Sequence, residues 1–393
     1  MAERENIVTE GSITKALFII ALPIIISNIL QSVLEVVDMY FIGHLGDDAI
    51  AGGTMSLSII MVLTTVMFGV VTATAAFISR AYGSKQYERI QVILASALYL
   101  ALIISAIIAV IGLFWSEELL LLMGAEPGAL AEGAKFLRPM LMGLFGMIIL
   151  MTLVTAFQSS GDSRTPMYVM IAVNIVNIIL NPALIQGLAG LPAFGIAGSA
   201  YASILSRTAG IVLLLGVMYL HPAFKNSPVR LPVKLTFEPQ LVKNIIVIAI
   251  PSALQSGIRS FGFLMMTSLI TIGYGTVAVA AYGIAIRLDM LGFIIVMGLC
   301  TAIAVMVGQN LGAGKVERAE MAVKYAVILN AIFMACVAVF YYLNAEMLLA
   351  FFGAEGETLK DGVIFMHIVP FSYFISAAAM TLGFAMNGAG MTR

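Results

Sequence analysis

The sequence predicts an all-α polytopic membrane protein, built as two helical lobes related by an internal parallel repeat. Three observations predict it. Of 393 residues, 61% are hydrophobic and only 10% charged, whereas a soluble domain needs about 25% charge to keep its surface wet. Ten apolar runs are long enough, at about 20 residues each, to cross a ~30 Å hydrocarbon core. Short motifs also recur at one fixed spacing. This composition excludes a soluble enzyme and a disordered chain. A net charge of −1 without a basic run excludes a nucleic-acid binder.

The runs lie at about 14–38, 50–79, 91–114, 134–158, 166–186, 195–220, 242–272, 277–308, 321–343 and 363–387. They are continuous and lack a period of two, so they are helices rather than strands of a barrel. The first opens on Leu22-Pro23-Ile24-Ile25 and closes on Val37-Asp38-Met39-Tyr40-Phe41-Ile42-Gly43-His44-Leu45-Gly46. The second runs into Tyr82-Gly83-Ser84-Lys85-Gln86-Tyr87-Glu88-Arg89, and the third into Met123-Gly124-Ala125-Glu126. Gln158-Ser159-Ser160-Gly161-Asp162-Ser163-Arg164-Thr165-Pro166 joins the fourth to the fifth, which carries Asn174, Asn177 and Asn181. After the sixth comes a hydrophilic stretch with Pro222, Pro228, Pro232 and Pro239, read as a linker over 221–241. The seventh begins near Ile250-Pro251, the eighth ends in Gly308-Gln309-Asn310-Leu311-Gly312, and the ninth runs into Phe352-Gly353-Ala354-Glu355. The tenth leads to Arg393.

Fourteen of the 20 Lys and Arg fall in the termini and loops of one side, among them Lys85, Arg89, Arg164, Lys315 and Arg318. The opposite side has Lys135, Arg138 and Lys360 against acids that include Asp47, Asp48, Glu117, Glu118 and Glu355. The positive-inside rule places the N-terminus in the cytoplasm, and an even number of spans returns Arg393 there. The polar Met1–Ser12 precedes a run too long for a signal peptide, so no cleavable leader is expected. The expected location is the cell membrane.

The step in numbering that carries Gly83 onto Gly312 also carries Gly124 onto Gly353, Gly133 onto Gly362 and Gly161 onto Gly390. Pro23 and Pro251 match with a slip of one. Both copies begin on the cytoplasmic side, which makes the repeat parallel, about an axis along the membrane normal. The first copy continues through two more spans, whereas the second stops at Arg393, the equivalent of Arg164. The expectation is a truncated chain: two lobes of six helices in a complete protein of about 450 residues, ten helices here. The divisions are an N-terminal lobe over 1–220, the linker, and a C-terminal lobe of four spans over 242–393.

Taken in this order, the quoted motifs resemble those of the multidrug and toxic compound extrusion (MATE) transporters, the DinF-like branch more than the NorM-like one. The resemblance covers essentially the whole chain. It implies two six-helix lobes around a central cavity and export driven by Na⁺ or H⁺. It also implies a cation site in the first lobe, and the positions that match its motifs are Asp38, Asn177, Asn181 and Ser203. Ser199 is an alternative to Ser203, and Asn181 stands where that branch often has an aspartate.

The residues argue for part of this independently. A carboxylate deep in a span costs about 2.5–3.5 kcal/mol, so Asp38 needs a partner, a cation or a proton, unless it sits wet at the extracellular end. Glu35 lies three residues away on the same face, and two desolvated carboxyls resist joint ionisation, which suits a proton carrier. Asn174, Asn177 and Asn181 form one stripe, facing either a cavity or a neighbouring helix. The resemblance makes Asp38, Asn177 and Asn181 a candidate Na⁺ site. Pro23 removes a hydrogen bond inside the first helix and is expected to kink or hinge it.

The second lobe has Met266 near the position equivalent to Asp38, without the carboxylate typical of NorM-like proteins in the seventh helix. Gln31, Gln255, Arg287 and Asp289 are candidates for lining the substrate cavity. Arg207 and Arg259 read as snorkelling or helix-bridging cations. Cys300 and Cys336 lie in apolar runs and read as packing residues, and the scattered His44, His221 and His367 make no metal motif.

The expected function is a secondary antiporter exporting amphipathic or cationic small molecules in exchange for H⁺ or Na⁺. A lipid-linked or oligosaccharide flippase is the alternative, favoured by the cationic Arg207, Arg259 and Arg287. An intramembrane enzyme would need clustered catalytic groups, which are absent, and no phosphate-loop motif GxxxxGK[ST] marks ATP use. No cofactor and no nucleic-acid partner is expected beyond the coupling ion, the substrate and the bilayer, and the chain reads as a monomer.

Overall fold

A computed structural model describes residues 8–220, 229–230 and 238–391. Most of the 221–241 linker lies outside the described residues, as does the side chain of Arg259. The described chain is helical: α1 (Ile13–Gly43), α2 (Asp47–Gly83), α3 (Tyr87–Leu122), α4 (Pro127–Met142), α5 (Leu144–Ser159), α6 (Arg164–Gln186), α7 (Ile196–Leu220), α8 (Pro239–Gly312), α9 (Val316–Phe351), α10 (Gly356–Ile368) and α11 (Tyr373–Gly388). Among the described residues nine helices, or ten with the α4–α5 pair counted as one span, are long and apolar enough to cross a membrane. Their outer faces need lipid, because only 33% of the most apolar stretch of α3 is buried by the protein itself.

Helices overrun the apolar segments at both ends, since hydropathy marks where the bilayer lies and not where hydrogen bonding stops. The fourth and tenth spans thus begin at Pro127 and Gly356, ahead of their apolar runs. Pro127 sits in the first turn, where its missing N–H costs nothing. The fourth span bends by 46° at Gly143, and the tenth breaks at the short helix Val369–Ser372.

The repeat seen in the sequence is also a repeat of the backbone. The step that carries Gly83 onto Gly312 carries both boundaries of α3 onto those of α9, and both boundaries of α5 onto those of α11. It carries the non-helical kink at Trp115 onto the one at Asn344. It also carries the left-handed Lys85 (φ 59°), in the turn after α2, onto Gly314 (φ 73°), in the turn after α8. The first copy therefore holds a lysine in a conformation that glycine occupies freely in the second.

One element departs from expectation. The seventh and eighth spans are assigned as a single helix of 74 residues, about 111 Å long if straight. It is not straight. Gly69 and Gly83 of α2 pack against Ala249 and Gln309. Those two contacts are only about 21 Å apart along α2, although their partners stand near opposite ends of α8. The chain therefore runs out and back, as Pro239–Ile258 and Ala281–Gly312. At the equivalent turn α1 ends at His44-Leu45-Gly46, with Gly46 at φ 109° and acids Asp47 and Asp48 starting α2. The Gly273-Tyr274-Gly275 counterpart is followed by Thr276 and Val277, which provide no such acidic start.

The lobes exchange half-helices at the end that carries the basic loops. The first half of α1 (Leu17, Ile20, Ile24) packs in the core of the second lobe with Leu299, Ile303 and Met306. Reciprocally, Leu241, Ile245 and Ala249 of α8 pack in the first lobe's core with Ile78, Tyr82 and Leu214. The beginning of the chain is tied down there too, with Lys315 Nζ donating to Thr9 O at 3.1 Å and Arg318 Nε to Val8 O at 3.1 Å.

At the centre of this seam the repeat's own glycines meet. A Cβ on Gly83 would overlap the Gln309 carbonyl, and one on Gly312 would overlap that of Arg80. Gln309 Nε2 then crosses to donate to Ser159 O at 2.8 Å. Gly83→Val and Gly312→Val should each cost about 1–3 kcal/mol through overpacking, seen as a lower melting temperature in detergent. Gly216→Ala, where nothing lies within 4 Å, should leave melting unchanged or slightly raised.

Candidate functional site

The site is assembled from three helices of the first lobe. Asp38 lies on α1, five residues before its end at Gly43, yet is only 6% exposed, so it is not wet at the end of the span. Burying a carboxylate without partners is prohibitive, and α6 and α7 provide them. Asn177 and Asn181, one turn apart on α6, donate their Nδ2 groups to Asp38 Oδ1 at 3.2 and 2.8 Å. Ser203 on α7 donates its hydroxyl to Oδ2 at 2.6 Å. Both amides and the serine are fully buried. The partners are also locked together: Asn181 Nδ2 donates to Asn177 Oδ1 at 2.9 Å, and Asn177 Nδ2 to Ser203 Oγ at 3.3 Å. One acceptor, Asn181 Oδ1, has no donor.

The structure thus brings Asp38, Asn177, Asn181 and Ser203 into one hydrogen-bonded group and separates it from near neighbours in sequence. Asn174, on the same stripe, turns back to its own helix and donates to Met170 O at 2.9 Å. Ser199 is buried with its hydroxyl unpartnered, so Ser203 is the serine that reaches Asp38. Glu35 stands apart from the group; it is exposed and accepts a hydrogen bond from Gln31 Nε2 at 3.2 Å. Pro23 lies inside a helix assigned without interruption from Ile13 to Gly43. Ser27 Oγ donates to the Pro23 carbonyl at 2.9 Å.

Arg207 corrects the sequence reading. It is 7% exposed rather than extended to the surface, and among the described residues its link to another helix is electrostatic, without a hydrogen bond or ion pair. It sits one turn beyond Ser203 on α7, in electrostatic contact with Asp38 and Glu35. Because α1 and α7 run in opposite directions, stepping from Ser203 to Arg207 parallels stepping back from Asp38 towards Glu35. The even spacing of Ser199, Ser203 and Arg207, one helical turn each time, is the signal that places this cation on the same stripe.

The candidates for the substrate cavity are not gathered. Gln255 is exposed beside Gly383, and Arg287 is exposed on α8. Asp289 is half-buried in the second lobe, where it accepts a hydrogen bond from the Tyr373 hydroxyl. Tyr341 donates to the neighbouring Leu288 carbonyl at 2.6 Å. No hydrogen bond or ion pair links these residues to one another or to Gln31 among the described residues. Met67, Phe68, Met147 and Met151 line a small apolar pocket with Thr64 and Val71 in the first lobe. Cys300 is buried and Cys336 exposed, and neither forms a disulfide. Among the described residues no cluster of His, Cys, Asp and Glu is arranged to hold a metal.

Removing the shortest bond to Asp38 separates the serines experimentally. Ser203→Ala should lower stability by about 1.5–3 kcal/mol, the usual worth of a hydrogen bond to a charged group. Ser199→Ala should stay within about 0.5 kcal/mol. Thermal melting of the purified protein reads both.

Comparison with known proteins adds the following. The MatE family model matches residues 23–183 and 251–393. The chain is 27% identical over 387 residues to a Bacillus subtilis protein named "Probable multidrug resistance protein YoeA", covering 97% of this chain and 82% of that one. It is 27% identical over 381 residues to "Probable multidrug resistance protein NorM" of Thermotoga maritima, covering 97% and 81%. Among solved structures, a MATE protein crystallised in its bent conformation superposes with a TM-score of 0.90 at 22% identity, over 99% of this chain and 85% of the other.

Proposed function

Since the chain belongs to the MatE family, we propose that it is a secondary antiporter of the cell membrane, exporting amphipathic or cationic small molecules in exchange for H⁺ or Na⁺. The observation that carries this reading is the buried Asp38 held by Asn177, Asn181 and Ser203. The names of its relatives as multidrug resistance proteins support the substrate class.

In this reading the basic loops and the N-terminus are cytoplasmic. The exchanged half-helices and the Gly83–Gly312 seam then close the cytoplasmic side. Asp38 takes up the coupling ion from outside. As an anion the carboxylate is an acceptor only and takes all three hydrogen bonds; once protonated, one oxygen becomes a donor and both accept more weakly. Taking a proton or cation changes that set and with it the hold of α6 and α7 on the outer half of α1. The inner half remains packed in the second lobe, so the movement falls on the segment around Pro23, where a backbone hydrogen bond is already missing. Substrate and ion occupy the protein at different stages of the cycle, because simultaneous passage would dissipate the gradient. For a neutral substrate, one coupling ion moving across about 150 mV supplies about 3.5 kcal/mol, enough for a concentration ratio of a few hundredfold, whereas a monovalent cation is exchanged without net charge and is driven by the ion's concentration gradient.

Ethidium efflux from proteoliposomes, under imposed pH and Na⁺ gradients in turn, tests this. Wild type should respond to at least one gradient, and Asp38→Asn should respond to neither, with efflux at least about tenfold slower. An Asp38→Asn protein that exports at the wild-type rate would overturn the role of Asp38. Pro23→Ala restores the missing hydrogen bond. It should slow turnover while leaving equilibrium binding of ethidium unchanged, as measured by fluorescence anisotropy.

A further inference from the structure

The oxygens around Asp38 are of the kind that bind a hard monovalent cation. They comprise the carboxylate, the Ser203 hydroxyl, Asn177 Oδ1 and the unsatisfied Asn181 Oδ1. The charge of the pocket is of a different kind. Negative charge favours Na⁺ by offsetting the lost hydration of the ion, and here a buried arginine lies beside a single buried aspartate.

Arg207 is 7% exposed, sits one turn from Ser203, and has no hydrogen bond among the described residues. Its partners are electrostatic, Asp38 and Glu35. A guanidinium is retained in such a place only if nearby anions compensate it. Asp38 is the anion inside the buried shell, whereas Glu35 is exposed and held by Gln31 at its edge. Among the buried residues of the pocket Asp38 and Arg207 cancel, and Glu35 adds its negative charge only from the exposed edge. With an amide at Asn181, α6 adds no second carboxylate to change that balance. An entering alkali ion would meet a fixed positive charge in a medium that screens it poorly.

We propose that Arg207 is the specificity-determining residue of this pocket: a resident cation that excludes Na⁺ from Asp38 and leaves the proton as the ion that couples. The coupling part of this inference rests on the reading of Asp38 as the coupling carboxyl; the exclusion of Na⁺ does not.

Equilibrium binding of ²²Na⁺ to the purified protein at fixed pH tests it, paired with thermal melting in sodium chloride against choline chloride. Wild type and Arg207→Lys, which keep the charge, should bind no Na⁺ saturably and melt alike in the two salts. Arg207→Gln and the apolar Arg207→Met should bind Na⁺ saturably, where wild type does not, and melt higher in sodium chloride. Adding Asp38→Asn to either should abolish the gain, which locates the ion. Saturable Na⁺ binding by wild type that disappears in Asp38→Asn would overturn the proposal without any arginine variant. Neutral variants that melt cooperatively yet bind no more Na⁺ than wild type would overturn it as well. Should Asp38→Asn export normally while Arg207→Gln gains an Asp38-dependent Na⁺ site, the coupling reading fails and the exclusion stands.

Discussion

A single helix is held in two different cores. The first half of α1 belongs to the packing of the second lobe through Leu17, Ile20 and Ile24, while its last third is anchored in the first lobe by Asp38 and by Ile42. A helix is stiff because each backbone group is bonded to the next turn, so whatever displaces one end is felt at the other unless the helix yields between them. Pro23 removes one of those bonds within the last turn of the second-lobe attachment, which ends at Ile24 and Ile25. The geometry of the pocket and the closure of the seam are thereby tied to one element.

The repeat explains why the seam exists. Two copies of one fold, facing each other across an axis normal to the membrane, must meet through equivalent surfaces. Backbones approach this closely only where one of the two residues lacks a side chain, and Gly83 against Gln309 and Gly312 against Arg80 meet that condition reciprocally. The cores exchange half-helices by the same symmetry, α1 into one lobe and α8 into the other. Symmetry ends at the pocket. The first lobe holds a carboxylate with three donors and a buried guanidinium; the second has Asp289 under Tyr373 on different helices. Duplication supplied the frame, and divergence placed the buried carboxylate and its donors in one half of it.

Polar groups in this interior are costly, and their arrangement limits how the site can change. Asp38 uses donors that are themselves bonded to one another, so losing any one disturbs the rest. Arg207 has no such network and is balanced by charge alone. Of the two, the hydrogen-bonded set fixes geometry, and the arginine sets which ions the geometry admits.

Composition, apolar runs and the fixed offset between paired glycines determined, without coordinates, that the chain is helical, crosses the membrane repeatedly and is duplicated. These are properties of length, periodicity and order along the chain. The stripe of Asn177 and Asn181 and the lone carboxylate of Asp38 were legible for the same reason, since helical spacing shows which residues share a face. Contact across helices is of another kind. Whether Asp38 is wet or buried, whether Ser199 or Ser203 reaches it, and that Asn174 turns away depend on the rotation of α1, α6 and α7 against one another. Arg207 escapes a reading of the sequence because a cation within an apolar run is equally consistent with snorkelling to the surface and with facing Asp38, an anion five spans earlier in the chain. Local sequence carries the face on which a residue sits; only packing decides what that face meets.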